Sequence, residues 1–89
     1  MKTITQSNRF KKDLKLMAKR GCNLEKFKEI VVLIANDESL PGRCKPHKLL
    51  GDYKDFWECH IESDWLLIYS FGPDFLDLAR TGTHADLFE

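Results

Sequence analysis

FWECHIESDWLLIYSFGPDFLDLART, residues 56–81, reads as three strands joined by two compact turns. Phe56 to Ile61 is the first strand, Trp65 to Phe71 the second and Phe75 to Thr81 the third. Aromatic and branched residues fill the runs. Glu62-Ser63-Asp64 and Gly72-Pro73-Asp74 between them carry the small, polar and proline residues that reverse a chain. Connectors this short make the order an antiparallel meander.

Working back toward the N-terminus, Asp37 to Gly51 is loop, marked by Leu40-Pro41-Gly42 and Lys45-Pro46, with Leu49 to Asp52 as a short bridge into the sheet. Before it lie two helices. Ser7 caps the first, Asn8 to Arg20, whose apolar positions Phe10, Leu14, Met17 and Ala18 fall on one face. Lys19 and Arg20 suit the negative end of its dipole, and Gly21 follows as the residue that ends it. Asn23 caps the second, Leu24 to Asn36, with Leu24, Phe27, Ile30, Val31 and Ile34 as its buried stripe. The connector Gly21-Cys22-Asn23 permits only an antiparallel helical hairpin. Lys2 to Thr5 is a short strand, and His84 to Phe88 one turn of helix. The sequence therefore predicts an α+β fold, βααβββ, with a helical hairpin packed on one face of a small, twisted, mostly antiparallel sheet. Residues 1–89 are expected to form a single domain, and a chain of this length buries only a little over ~60% of its unfolded surface.

Composition narrows the class. No apolar run approaches the ~20 residues of a membrane span, and Met1 to Thr5 is not followed by the apolar stretch of a signal peptide. The expected compartment is the cytoplasm. Cys22, Cys44 and Cys59 are an odd count without regular spacing, which predicts reduced thiols. The net charge of zero hides an asymmetry: residues 1–54 hold 13 Lys/Arg against 6 Asp/Glu, and residues 55–89 hold 1 against 8. Arg80 is thus the only Lys or Arg after residue 54. Lys11, Lys12 and Lys15, with Arg9, Lys19 and Arg20, and the loop Arg43-Cys44-Lys45-Pro46-His47-Lys48 are the segments suited to phosphate contact.

All three histidines lie in the second half: His47 in the basic loop, His60 in the first strand of the meander, His84 in the tail. Histidine gives or takes a proton near neutral pH. With Arg80, Glu58 and Asp64 they supply the groups that a metal-free phosphodiester cleavage needs. Glu58 and His60, two apart on a strand, share a face. Arg80 offers a planar fork that matches phosphate oxygens, with a pairing to Asp64 or Asp77 as the structural alternative. Phe88 either stacks on a base or plugs the edge of the core. Trp65 begins an apolar run and fits the core, though it also stands among the substrate-binding candidates, with Lys45 and Lys48.

His47-Lys48-Leu49-Leu50-Gly51, then Glu58 to Tyr69, then Arg80-Thr81-Gly82-Thr83-His84-Ala85-Asp86-Leu87-Phe88 resemble the YafQ branch of the RelE-type toxins. The resemblance spans nearly the whole chain, including the helical hairpin and the order of strands. It implies an endoribonuclease that cuts messenger RNA in the ribosomal A site without metal or other cofactor. It also implies a monomeric toxin held in a hetero-oligomeric complex by an antitoxin of the DinJ or RelB kind. Residue by residue it points to His47, Glu58, His60, Asp64, Arg80, His84 and Phe88. Trp57 stands where relatives often have Arg, and Ser63 where Pro is usual.

In the chemistry this implies, the substrate's 2′-hydroxyl attacks the adjacent phosphorus and expels the 5′-oxygen. His84 is the expected acid, and His60 or Glu58 the base, with His47 assisting charge or position; general acid–base help is worth ~10²–10⁴-fold per group. Three rivals stand beside this reading. Cys44-x-x-His47 with Cys59-His60 superficially resembles a zinc box, but neighbours on a strand face opposite ways. A ParE-like inhibitor of DNA gyrase would share the fold and need only a surface. A silenced toxin would serve only to bind its antitoxin.

Overall fold

In the computed structural model, which describes residues 1–88, β1 (Thr3–Gln6) leads into α1 (Asn8–Lys19) and α2 (Leu24–Ala35). After them come β2 (His47–Lys48), β3 (Trp57–Glu62), β4 (Trp65–Phe71), β5 (Phe75–Gly82) and α3 (His84–Phe88). Single 3-10 turns, Gly42–Cys44 and Gly51–Tyr53, flank β2. The fold is the α+β arrangement that the sequence predicts.

The helices start where their caps dictate. Ser7 Oγ accepts the Phe10 N–H at 2.9 Å, and Asn23 Oδ1 accepts the Glu25 N–H at 3.0 Å, each satisfying a donor that the first helical turn leaves free. Arg20 and Asn36 are the C-caps, so each helix stops one residue short of its predicted end. Gly21, at φ 84°, makes the left-handed exit from α1.

The sheet runs β1-β5-β4-β3-β2, with β1 parallel to β5 and the other pairs antiparallel. β1 lies one residue later than predicted: the Lys2 N–H donates to the Ala35 carbonyl at the end of α2, and pairing with β5 begins at Thr3. β3 likewise starts at Trp57 and runs to Glu62, and β5 continues to Gly82. Inside the predicted loop, β2 adds a strand that the sequence did not disclose, since two residues carry no period. The expected bridge at Leu49 to Asp52 gives way to the 3-10 turn at Gly51.

Both faces of the sheet are covered. Phe10, Met17, Phe27, Ile30, Val31 and Ile34 pack on one face against Cys59, Ile61, Trp65, Leu67, Tyr69, Leu76 and Leu78. Ala18, counted on the buried stripe of α1, is exposed. On the other face Leu66, Ile68 and Leu87 form a second apolar cluster with Leu49, Tyr53, Phe56 and Ala79. This double burial explains why Trp65 to Tyr69 is continuously apolar rather than alternating.

Candidate active site

Alternation along β3 sends Cys59 and Ile61 into the core beneath the helices and leaves Glu58 and His60 on the opposite face. β2 brings a third group there, because His47 pairs with Glu58. His47 Nε2 lies 3.4 Å from Glu58 Oε1, and its Nδ1 donates to the Lys45 carbonyl at 2.9 Å. Glu58 itself is buried. His60 Nδ1 donates to the Ser63 carbonyl at 3.3 Å.

Arg80 reaches this face through an irregularity. Simple alternation from Leu76 and Leu78 would point it under the helices. Instead the register shifts, so that Leu78 opposes Tyr69 while Arg80 opposes Ile68, and Ala79 is the extra residue. A bulge of this kind re-aims a side chain, and here it lines Arg80 up with Ile68 and, one strand further, Glu58. Arg80 is anchored by Asp13 of α1: Nε donates to Oδ2 at 2.7 Å and Nη2 to Oδ1 at 3.3 Å. The Thr81 N–H also donates to Asp13 Oδ2, at 3.2 Å. The bond to Asp13 raises the guanidinium's pKa above its already high value, against the cost of burial. The sequence-based alternative for Arg80 is corrected in partner: Asp77 is bonded to Thr5 and Asp64 to His84. Nothing in the sequence singled out Asp13, an acid among lysines that only the fold brings to Arg80.

α3 delivers His84. Thr83 and Asp86 cap each other across its first turn, Thr83 N–H to Asp86 Oδ2 at 3.0 Å and Asp86 N–H to Thr83 Oγ1 at 3.1 Å. Arg20 clamps the same carboxylate at 2.6 and 3.3 Å and holds it far below the usual carboxylate range. Gly82 permits this approach, since a Cβ there would come within 2.9 Å of Asp86 Cβ. Asp64, in the turn between β3 and β4, accepts from the His84 N–H at 3.0 Å and from Nδ1 at 2.8 Å. Those two bonds lower its pKa, the backbone one most.

His47, Glu58, His60, Asp64 and His84 therefore gather on the face that also carries Arg80. The His60 and His84 ring centroids are 5.8 Å apart. In both rings Nδ1 is committed to an oxygen acceptor, which leaves Nε2 as the atom for proton transfer. Phe88 stands 46% exposed beside Tyr53, edge-on at 6.0 Å; Leu87, not Phe88, fills the apolar cluster.

Other candidates fall elsewhere. Trp65 is not available to a base: it is 2% exposed on the helix side, where Nε1 donates to Thr81 Oγ1 at 2.8 Å. Lys48 opposes Trp57 and so faces the helix side of β2, away from His47. Lys45 borders His60 in a groove. Lys11, Lys12 and Lys15 are exposed on α1, the helix that supplies Asp13. The zinc-box rival fails on geometry, because Cys44 and Cys59 are buried in the core on the helix side. Burial pushes the Cys59 thiol up to about 12.

The fold is that of a bacterial toxin of the type II toxin–antitoxin class: the family model described as the YafQ toxin of such systems matches residues 2–89. The chain belongs to the YafQ toxin family. It is 41% identical over 86 residues to the mRNA interferase toxin YafQ of Escherichia coli K12, covering 96% of this chain and 94% of that protein. A chain in the crystal structure of the E. coli DinJ-YafQ toxin–antitoxin complex superposes with a TM-score of 0.91 at 39% identity, over 99% of this chain and 98% of that one. A metal-bound toxin from Helicobacter pylori superposes with a TM-score of 0.92 at 40% identity, over 99% of this chain and 100% of that one. Among the described residues of this chain, no three His, Cys, Asp or Glu side chains converge as a metal site would require.

Proposed function

We propose that this chain is the toxin of a type II toxin–antitoxin pair and acts as an endoribonuclease, cutting messenger RNA in the ribosomal A site. The observation that carries this reading is the His60–His84 pair: two imidazoles 5.8 Å apart, each with Nδ1 tied to an oxygen and Nε2 open. Two such nitrogens flank a single phosphodiester. His60 Nε2 takes the proton of the 2′-hydroxyl as that oxygen attacks phosphorus. His84 Nε2 gives a proton to the 5′-oxygen as the P–O5′ bond breaks. The products are a 2′,3′-cyclic phosphate and a free 5′-hydroxyl, with no co-reactant consumed. Asp64 fixes the His84 tautomer, and His47 stands against Glu58 beside the reacting group. The edge of Arg80 not bound by Asp13 faces the non-bridging oxygens, where preorganised charge counts most.

One domain, residues 1–89, carries this activity in the cytoplasm, where ribosomes are. The relative in the DinJ complex supports an antitoxin of similar kind as partner, with this chain as the monomeric toxin of a hetero-oligomer. The test uses purified ribosomes programmed with a synthetic messenger. Cleavage should leave a cyclic phosphate and a 5′-hydroxyl, and a 2′-deoxy sugar at the cut should stop it. Cutting that continues at the deoxy position would overturn the mechanism.

A further inference from the structure

Beside His60 lies a groove of about 540 Å³ that the reaction as described does not use, lined by Lys26, Arg43, Lys45, His60, Ile61, Glu62 and Ser63. Its origin is topological. β2 pairs only with Trp57 and Glu58, so the outer edge of β3 from Cys59 to Glu62 has no strand beside it. The 3-10 turn Gly42–Cys44 packs against β3 instead. Cys44 is fully buried, so its chain neighbours Arg43 and Lys45 are turned outward. Lys45 adopts the left-handed conformation at φ 45°, and its carbonyl holds His47 Nδ1. From the helix side Lys26 reaches the groove and pairs with Glu62 at 3.2 Å. Among the described residues, neither Arg43 nor Lys45 has an acidic partner within ion-pair distance. The groove thus holds more positive than negative charge, is of ligand-binding size, and shares a wall with a reacting imidazole.

We propose that this groove is an RNA subsite, in which Arg43, Lys26 and Lys45 hold the phosphodiester next to the one cleaved. The proposal rests on the nuclease reading above. Arg43 supplies the fork that grips a phosphate in two places, and Lys26 trades Glu62 for the RNA. The subsite draws the strand round the edge of β3 and so sets the scissile linkage between His60 and His84. Lys26 becomes a substrate-binding residue that the sequence did not mark, and Arg43 gains a defined place within the basic loop already suited to phosphate contact.

The experiment measures single-turnover cleavage of short messengers on purified ribosomes. The messengers carry either all-natural linkages or one uncharged methylphosphonate, placed in turn on each side of the cleaved linkage. Wild type is compared with K26A/R43A, with matching thermal melts as proof of folding and R43K as the milder variant. The double variant should cut the natural messenger about tenfold more slowly. A methylphosphonate on one side should slow wild type by a similar factor and the double variant hardly at all, because the lost partner is the same. Equal slowing of both proteins at every position, or a double variant as fast as wild type, overturns the subsite; equal slowing would give these cations to ribosomal RNA. A wild-type chain that cuts no messenger overturns the nuclease reading, and the subsite with it.

Discussion

Asp13 binds Arg80 through two guanidinium nitrogens and caps the Thr81 N–H as well, so an acid on a basic helix fixes the guanidinium that is proposed to hold phosphate. Asp13→Asn should slow messenger cleavage about tenfold, in keeping with the ~1.5–3 kcal/mol of a charge-assisted hydrogen bond. In an Arg80→Ala background the same change should add nothing further, since it acts through Arg80. Additive losses would show that Asp13 works otherwise. Trp65 makes the opposite case. Trp65→Phe removes its hydrogen bond to Thr81 and should lower stability by about 1 kcal/mol, read by chemical denaturation, with the cleavage rate of the folded protein within about twofold of wild type. A large loss of rate without a loss of stability would return Trp65 to the substrate. At this scale the shared face of Glu58 and His60 was legible from their strand spacing, while His47, Asp64 and His84 were candidates by residue type and by the resemblance. Asp13 was not, because an isolated acid on a charged helix looks like any solvated residue until the fold closes.

The elements that matter most are the irregular ones. The meander and both helices follow from turn residues, caps and periodicity. β2 and the Ala79 bulge do not, since one is too short to show a period and the other breaks it, yet they bring His47 and Arg80 to the site. α3 depends on the Arg20–Asp86 clamp rather than on its own five residues. Asp86 has a lower carboxyl pKa folded than unfolded. Its contribution to stability is therefore fully present above the ordinary carboxylate range and is lost as pH falls below it. Hydrogen exchange at the Ala85 to Leu87 amides should accelerate in Asp86→Asn at neutral pH, relative to wild type and ahead of the β4 amides. Cleavage should fall with it as His84 loses its placement. Unchanged exchange in α3 would mean that its packing on Leu66 and Ile68 suffices.

At the scale of the molecule, helices cover one face of the sheet, and the candidate site residues collect on the other beside a small apolar cluster. The acidic half places carboxylates against two of the histidines, Asp64 on His84 and Glu58 beside His47, while the basic segments are the surfaces suited to polyanions. Proton transfer by side chains alone predicts that toxin treated with a chelator, then freed of it, cuts programmed ribosomes at the untreated rate; a loss restored by one metal would require an ion. Ribosome-linked cleavage through His84 is tested by mapping messenger RNA ends by primer extension after brief expression in translating bacteria, with the intact chain beside His84→Ala. New ends are expected inside translated codons for the intact chain, reduced at least a hundredfold in the variant. Growth arrest by the intact chain without new ends would contradict it and point to inhibition by binding, as of DNA gyrase.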